Sequence, residues 1–142
     1  MCPGYSKRGL PEKLGIKAGS RVLLVGAPRG YEEMLEPLPE GAELCRGARG
    51  LVHVAQCFVT RRADLAREFP RLARRIERDG ALWISWPKRA SGVSTDLDEN
   101  VVRAIGLASS LVDVKVCAVD DTWSGLKFVY RLADRPKTAK KK

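Results

Sequence analysis

The hydrophobic positions of this 142-residue chain change period along its length. Short unbroken apolar runs alternate with stretches in which apolar residues recur every three or four positions. The first kind reads as strands buried on both faces, the second as amphipathic helices. Arg21 to Val25, RVLLV, is a run of the first kind and is closed by Gly26. Tyr31 to Leu35 follows as a short helix stopped by Pro37 and Pro39. Ala42 to Cys45 is a weak strand between Gly41 and Gly47. Leu51 to Val59, LVHVAQCFV, is a strong one, apolar but for His53 and Gln56, and belongs near the sheet centre. From Thr60 the period lengthens. Leu65, Phe69, Leu72 and Ile76 form the buried stripe of a helical segment that Asp79-Gly80 ends. Pro70 within it either kinks the helix or opens a second one at its first turn. Ala81 to Trp86, ALWISW, is the next strand, and a loop from Pro87 to Asp96 follows. Leu97 to Leu107 is a helix with Thr95 or Asp96 as its cap. Leu111 to Val119 is a strand, Asp120 to Gly125 a turn, and Leu126 to Leu132 a last strand pairing antiparallel with its predecessor.

The order β-α-β-β-α-β-α-β-β predicts a three-layer Rossmann-like α/β fold. Its sheet is mostly parallel, with right-handed crossovers and a terminal antiparallel hairpin. The length fits one domain, residues 1–134, followed by a basic, disordered-looking tail over 135–142. No apolar run approaches the ~20 residues a membrane helix needs. The opening MCPGYSKRG lacks the apolar core of a secretory signal. A cytoplasmic protein is expected. Cys2, Cys45, Cys57 and Cys117 are scattered, without a C-x-x-C pair and with the single histidine His53, so no zinc site is expected. Cys57 and Cys117 lie in apolar runs, where a thiol packs as a small hydrophobe, and Cys2 is the one expected to react readily.

A net charge of +9 invites a nucleic-acid reading, and its distribution weakens it. Five cations fall in the tail, Lys140, Lys141 and Lys142 among them, which leaves +4 for the other 134 residues. The seven arginines between Arg61 and Asp79 are offset by Asp64, Glu68, Glu77 and Asp79. Such a helix is more often a solvated face than a binding stripe. Weak phosphate contact through the tail stays open.

The segment from Leu14 to Tyr31, LGIKAGSRVLLVGAPRGY, resembles the opening strand and phosphate-side loop of class I methyltransferases that use S-adenosylmethionine. In that family an acidic residue and three alternate glycines follow the strand. Here Leu24 stands at the acidic place, Gly26 at the first glycine, Pro28 at the second and Gly30 at the third. The resemblance spans Leu14 to Leu132 at the level of pattern, including ERDGALWISW. Further departures are the end of the second strand, Cys45-Arg46-Gly47, where an acid ordinarily holds the ribose, and the absence of the helix and strand that come next. The resemblance implies the fold, and the departures argue against conventional cofactor use. Two blocks, SWPKRASGVSTDL and VCAVDDTWSGLKFVYR, also resemble a family of small bacterial proteins to which no activity is attached.

In an open parallel sheet ligands bind beyond the carboxyl ends of the strands. The topology gathers four segments there. From the first loop come Arg29 and Tyr31, and from the segment after the third strand comes Thr60. The loop after ALWISW supplies Trp86, Lys88, Arg89, Ser91, Thr95 and Asp96. A large ring, a cation, a hydroxyl and a helix start suit a phosphate or carboxylate, although such residues also simply pack and cap a loop. The last turn supplies Asp120, Asp121, Trp123 and Ser124, either as acids facing Lys88 or Arg89 with a stacking ring or as a plain Asx turn. His53 reads as a hydrogen-bonded core residue. No residue carries a catalytic assignment, and neither a cofactor nor a metal is named. The expectation is a binding module or degenerate enzyme that holds a small anionic ligand or a protein partner at this rim. The alternatives are a transferase with an altered cofactor site and a nucleic-acid-associated protein anchored by its tail.

Overall fold

The computed structural model describes residues 9–45, 50–109 and 111–131. The tail, Cys2 and the Arg46-Gly47 end of the second strand lie outside them. The elements are α1 (Leu10–Leu14), β1 (Arg21–Val25), α2 (Tyr31–Met34), β2 (Glu43–Cys45), β3 (Val52–Phe58), α3 (Arg62–Ala73), β4 (Ile76–Pro87), α4 (Glu99–Leu107), β5 (Leu111–Ala118) and β6 (Trp123–Tyr130). A single 3-10 turn, Arg89–Ser91, interrupts the loop after β4. The strands form one six-stranded sheet in the order β2-β1-β3-β4-β6-β5. β1 to β4 are mutually parallel, and β6 runs against both β4 and β5. The mixed, mostly parallel α/β sheet is the fold that the alternating strands and helices predict. Among the described residues no helix is long and apolar enough to cross a membrane.

Alternation along the strands sends side chains to two faces. Leu23, Ala55, Cys57, Leu82, Ile84 and Leu126 meet Leu65, Phe69 and Leu72 of α3 and Val102 of α4. Val22, Val54, Phe58 and Trp83 point to the other face, where Leu14 of α1 and Tyr31 of α2 cover them. α1 was not expected from the sequence pattern. Its single turn is closed by Gly15 in the left-handed conformation (φ 86°) and is fastened to the sheet by the indole Nε1 of Trp83, which donates to the Leu14 carbonyl at 2.9 Å. Arg103 ties α4 to the outer strand through Asp113, at 2.8 Å.

Several boundaries differ from the sequence expectation. Ile76 belongs to β4 rather than to the helical stripe. α3 runs unbroken through Pro70 and stops at Ala73, whose carbonyl accepts the Tyr130 hydroxyl at 2.6 Å. The chain is then already pairing with β3, since the Val52 N–H donates to the Arg75 carbonyl at 2.8 Å. Gly80 lies inside β4 instead of ending a helix. A Cβ there would come within 2.6 Å of the His53 carbonyl, so only glycine lets β4 pass this close to β3. β6 starts at Trp123, three residues before the expected Leu126, because the turn is closed earlier by Asp120. The reversed strand is also internal: β6 fills the place between β4 and β5, and β5 becomes the edge. The cap of α4 is Asp98, which accepts the Val101 N–H at 2.8 Å, rather than Thr95 or Asp96.

Trp83→Phe is expected to lower stability by about 2 kcal/mol, because it removes volume from the core and strips the Leu14 carbonyl of a buried donor. Urea unfolding of the variant checks this. A loss under about 0.5 kcal/mol would show that α1 is held by other means.

Candidate functional site

The strand order places a topological switch point between the carboxyl ends of β1 and β3, the usual crevice for a ligand in such a sheet. Here the chain's own side chains close it. Gly26 turns the chain out of β1 with φ 71°, and a Cβ at this position would meet the Phe58 carbonyl at 2.8 Å. The two strand ends are therefore in backbone contact. Gly30, also left-handed (φ 85°), starts α2 and drops Tyr31 into the core, where it is 1% exposed. The Tyr31 hydroxyl donates to Gln56 Oε1 at 2.6 Å, and Gln56 Nε2 donates to Ser85 Oγ at 3.0 Å. This buried chain crosses from α2 over β3 to β4. Three rings pack edge to face above it, with centroids 4.7 Å apart from Tyr31 to Phe58 and 5.0 Å from Phe58 to Trp123. Burial pushes the Tyr31 phenol well above the ordinary tyrosine range.

The open volume lies beside the switch point. A cleft of about 570 Å³ sits in the loop after β4, and its walls include Trp86, Pro87, Arg89, Thr95, Asp96 and Asp98. Trp86 is 5% exposed and packs into the α3–α4 core, so it offers the cleft an edge rather than a free ring. Thr95 and Asp96 tie this loop to the one after β3. Thr95 Oγ1 donates to the Thr60 carbonyl at 2.6 Å, and Asp96 Oδ1 accepts the Arg62 N–H at 2.7 Å. Asp96 thus caps the start of α3 from across the rim. Ser91 Oγ donates to the Lys88 carbonyl at 2.7 Å and accepts the Val93 N–H at 3.1 Å, which fixes the loop's first turn. The carboxylates of this region are engaged with backbone N–H groups. Arg89 is exposed, and among the described residues neither it nor Lys88 has an ion-pair partner.

Of the residues singled out from the sequence, the structure therefore brings Trp86, Thr95, Asp96 and Arg89 to one cleft, with Lys88 and Ser91 shaping its loop. Arg29 is exposed and is not among the residues that line it. Tyr31 lies beneath the rim rather than on it. Asp120 makes an Asx turn, accepting the N–H groups of Thr122 and Trp123 at 2.8 Å each, and Asp121 is exposed beside it. The turn joins the loop after β4 through the backbone, the Lys88 N–H donating to the Thr122 carbonyl at 2.7 Å. Trp123 is half-buried, closing the ring stack. Gln56, Phe58, Ser85 and Asp98 were not foreseen. Gln56 did leave a signal, a lone amide in an apolar strand that must find partners. Among the described residues no three His, Cys, Asp or Glu side chains cluster as a metal ion needs.

No protein-family model and no curated protein matches the chain. Solved structures do. A fibrillarin pre-rRNA processing protein of Methanococcus jannaschii is 16% identical over 85% of this chain and 69% of its own, with a TM-score of 0.53. The fold is methyltransferase-like. An S-adenosylmethionine-dependent methyltransferase of Clostridium acetobutylicum superposes with a TM-score of 0.58 at 6% identity, over 85% of this chain and 87% of its own. The magnesium protoporphyrin IX methyltransferase of Synechocystis, solved with bound SAH, gives 0.53 at 11% identity, covering 86% and 78%. At these identities the likeness is one of architecture. The distant similarity to class I methyltransferases that the opening motif implied stands on that architecture.

Tyr31→Phe is expected to cost about 1–3 kcal/mol at neutral pH by leaving Gln56 Oε1 buried without its donor. It also changes the pH profile. The folded phenol keeps its proton above the ordinary value of about 10, whereas the unfolded one loses it there. The Tyr31 contribution is therefore complete below about pH 10 and is lost as pH rises toward the folded value. Urea melts between pH 7 and pH 11 should show a steeper fall above pH 10 in the wild type than in Tyr31→Phe, and identical slopes would rule Tyr31 out as the cause.

Proposed function

We propose that the chain is a binding module on a methyltransferase-like scaffold, holding a small anionic ligand in the cleft behind β4. One observation carries this reading: the switch-point crevice is packed by Tyr31, Phe58 and Trp123, while about 570 Å³ stands open beside it. Arg89 supplies charge, and Trp86 with Pro87 supplies an apolar wall. Such a wall with a few polar groups is the usual composition of a small-molecule site. The carboxylates that line the cleft are already committed to helix N–H groups, which leaves Arg89 as the recognition element.

Conventional S-adenosylmethionine use is not part of the reading. Pro28 removes a backbone donor where the phosphate-side loop needs one, Leu24 replaces the acid, and β2 ends at the buried Cys45. A transferase with an altered cofactor site is the second reading, favoured by the superposition on a methyltransferase solved with bound SAH. A protein partner docking at the same rim, with weak nucleic-acid contact through Lys140 to Lys142, would be an added property. The free thiols Cys45, Cys57 and Cys117 accord with a reducing compartment such as the cytoplasm.

Isothermal titration with small carboxylates and phosphate esters, citrate and glycerol phosphate among them, tests the proposal. At least one should bind the wild type and be weakened tenfold or more by Arg89→Ala, about 1.4 kcal/mol, with far-UV circular dichroism unchanged. S-adenosylmethionine at millimolar concentration should give no heat. Saturable binding of that cofactor would overturn this reading in favour of the transferase.

A further inference from the structure

At the opposite end of the strands, on the face covered by α1, lies a second cleft of about 250 Å³. His53, Ser20, Lys17 and Lys127 line it, with Asp79 as the acid among the described lining residues. His53 is half-buried, and its Nδ1 accepts the Arg21 N–H at 2.9 Å. That bond fixes the tautomer: the ring proton sits on Nε2, which is a donor. Ser20 is 6% exposed, and its Oγ accepts the Lys17 N–H at 2.9 Å, so its hydroxyl proton is available to donate. Lys127 Nζ reaches across to the end of α1, 3.8 Å from the position of a Cβ on Gly15.

The basic surface continues beyond the cleft. Lys127 stands directly opposite Lys115 in the β5–β6 register. Like charges facing each other across an antiparallel pair are unfavourable. Lys13 joins them from α1. Burial raises the Cys117 thiol, and Lys13 and Lys115 both pull against that rise, which places both ammonium groups around the same patch. Among the described residues no ion pair engages Lys13, Lys17 or Lys115. Donors converge here from α1, β3, β5 and β6.

We propose that this patch is a phosphate-binding site for a small ligand carrying one or two phosphoryl groups. One phosphoryl group sits in the cleft against His53 Nε2–H, the Ser20 hydroxyl, Lys17 and Lys127. A second, where present, lies between Lys115 and Lys13. The site is independent of the cleft behind β4.

The test is thermal unfolding and titration at low ionic strength with inorganic phosphate, inorganic pyrophosphate and a single-stranded oligonucleotide. Pyrophosphate should raise Tm saturably, and phosphate should do so more weakly. Lys17→Gln should weaken pyrophosphate tenfold or more. Lys115→Gln should weaken pyrophosphate and leave phosphate binding unchanged, a split between the two anions that a merely solvated lysine would not give. Both residues are exposed, so these variants carry the test even if Lys127→Gln or His53→Gln fails to fold. The His53 Nε2–H proton resonance should move on addition of pyrophosphate. No Tm shift at millimolar pyrophosphate, or equal shifts in Lys17→Gln and Lys115→Gln, overturns the proposal. An oligonucleotide binding more tightly than pyrophosphate overturns it in favour of a nucleic-acid surface.

Discussion

A buried amide in the middle of the sheet governs this molecule's functional geography. Gln56 is fully buried on β3, where leaving its polar atoms unmatched would cost several kcal/mol. It is matched by a phenol from one side and a hydroxyl from the other, Tyr31 and Ser85. To deliver the phenol, the loop after β1 must turn sharply downward at Gly30 instead of standing open above the strands. The Tyr31 ring then stacks against Phe58 and, through it, Trp123. One satisfied amide thus fixes the start of α2 and fills the crevice that this topology ordinarily leaves for a ligand.

Open space is displaced as a result. On the rim it moves toward β4, where the loop needs acids to hold it. Asp96 caps α3 and Asp98 caps α4. Acids that the sequence offers as ligand contacts are used by the fold. On the other face, α1 and α2 are short while α3 and α4 are long, so among the described residues the sheet near β5 and β6 is thinly covered. That is where the lysines of β5 and β6 meet those around α1. The two clefts lie at opposite ends of the strands and are built differently, one around an apolar wall and the other around donors.

The shared architecture with methyltransferases accounts for the sheet and its connections without fixing a chemistry, as expected where function resides in sites placed on a common scaffold. The departures at Leu24, Pro28 and Cys45 are local.

The sequence by itself determined the α/β class, the position of β3 near the sheet centre, and the interiors of most elements, β1 residue for residue. Unbroken Val- and Leu-rich runs and a three-to-four-residue period are local signals, so they survive without knowledge of the fold. Tertiary structure decided the rest. Ile76 fits a helical stripe by spacing alone, and only the pairing of Val52 with Ile76 makes it a strand residue. Trp123 joins β6 because Asp120 closes the turn behind it. Tyr31 and Arg29 are near neighbours in one loop, yet one is buried and the other exposed, because burial depends on where Gln56 lies 25 residues away from Tyr31. The same holds for His53, whose tautomer is set by a backbone N–H from β1, and for Lys115 and Lys127, whose opposition exists only in the register of the final hairpin. Pattern along a chain records what each segment must bury; which polar groups meet is settled by strand order and register, which no single segment contains.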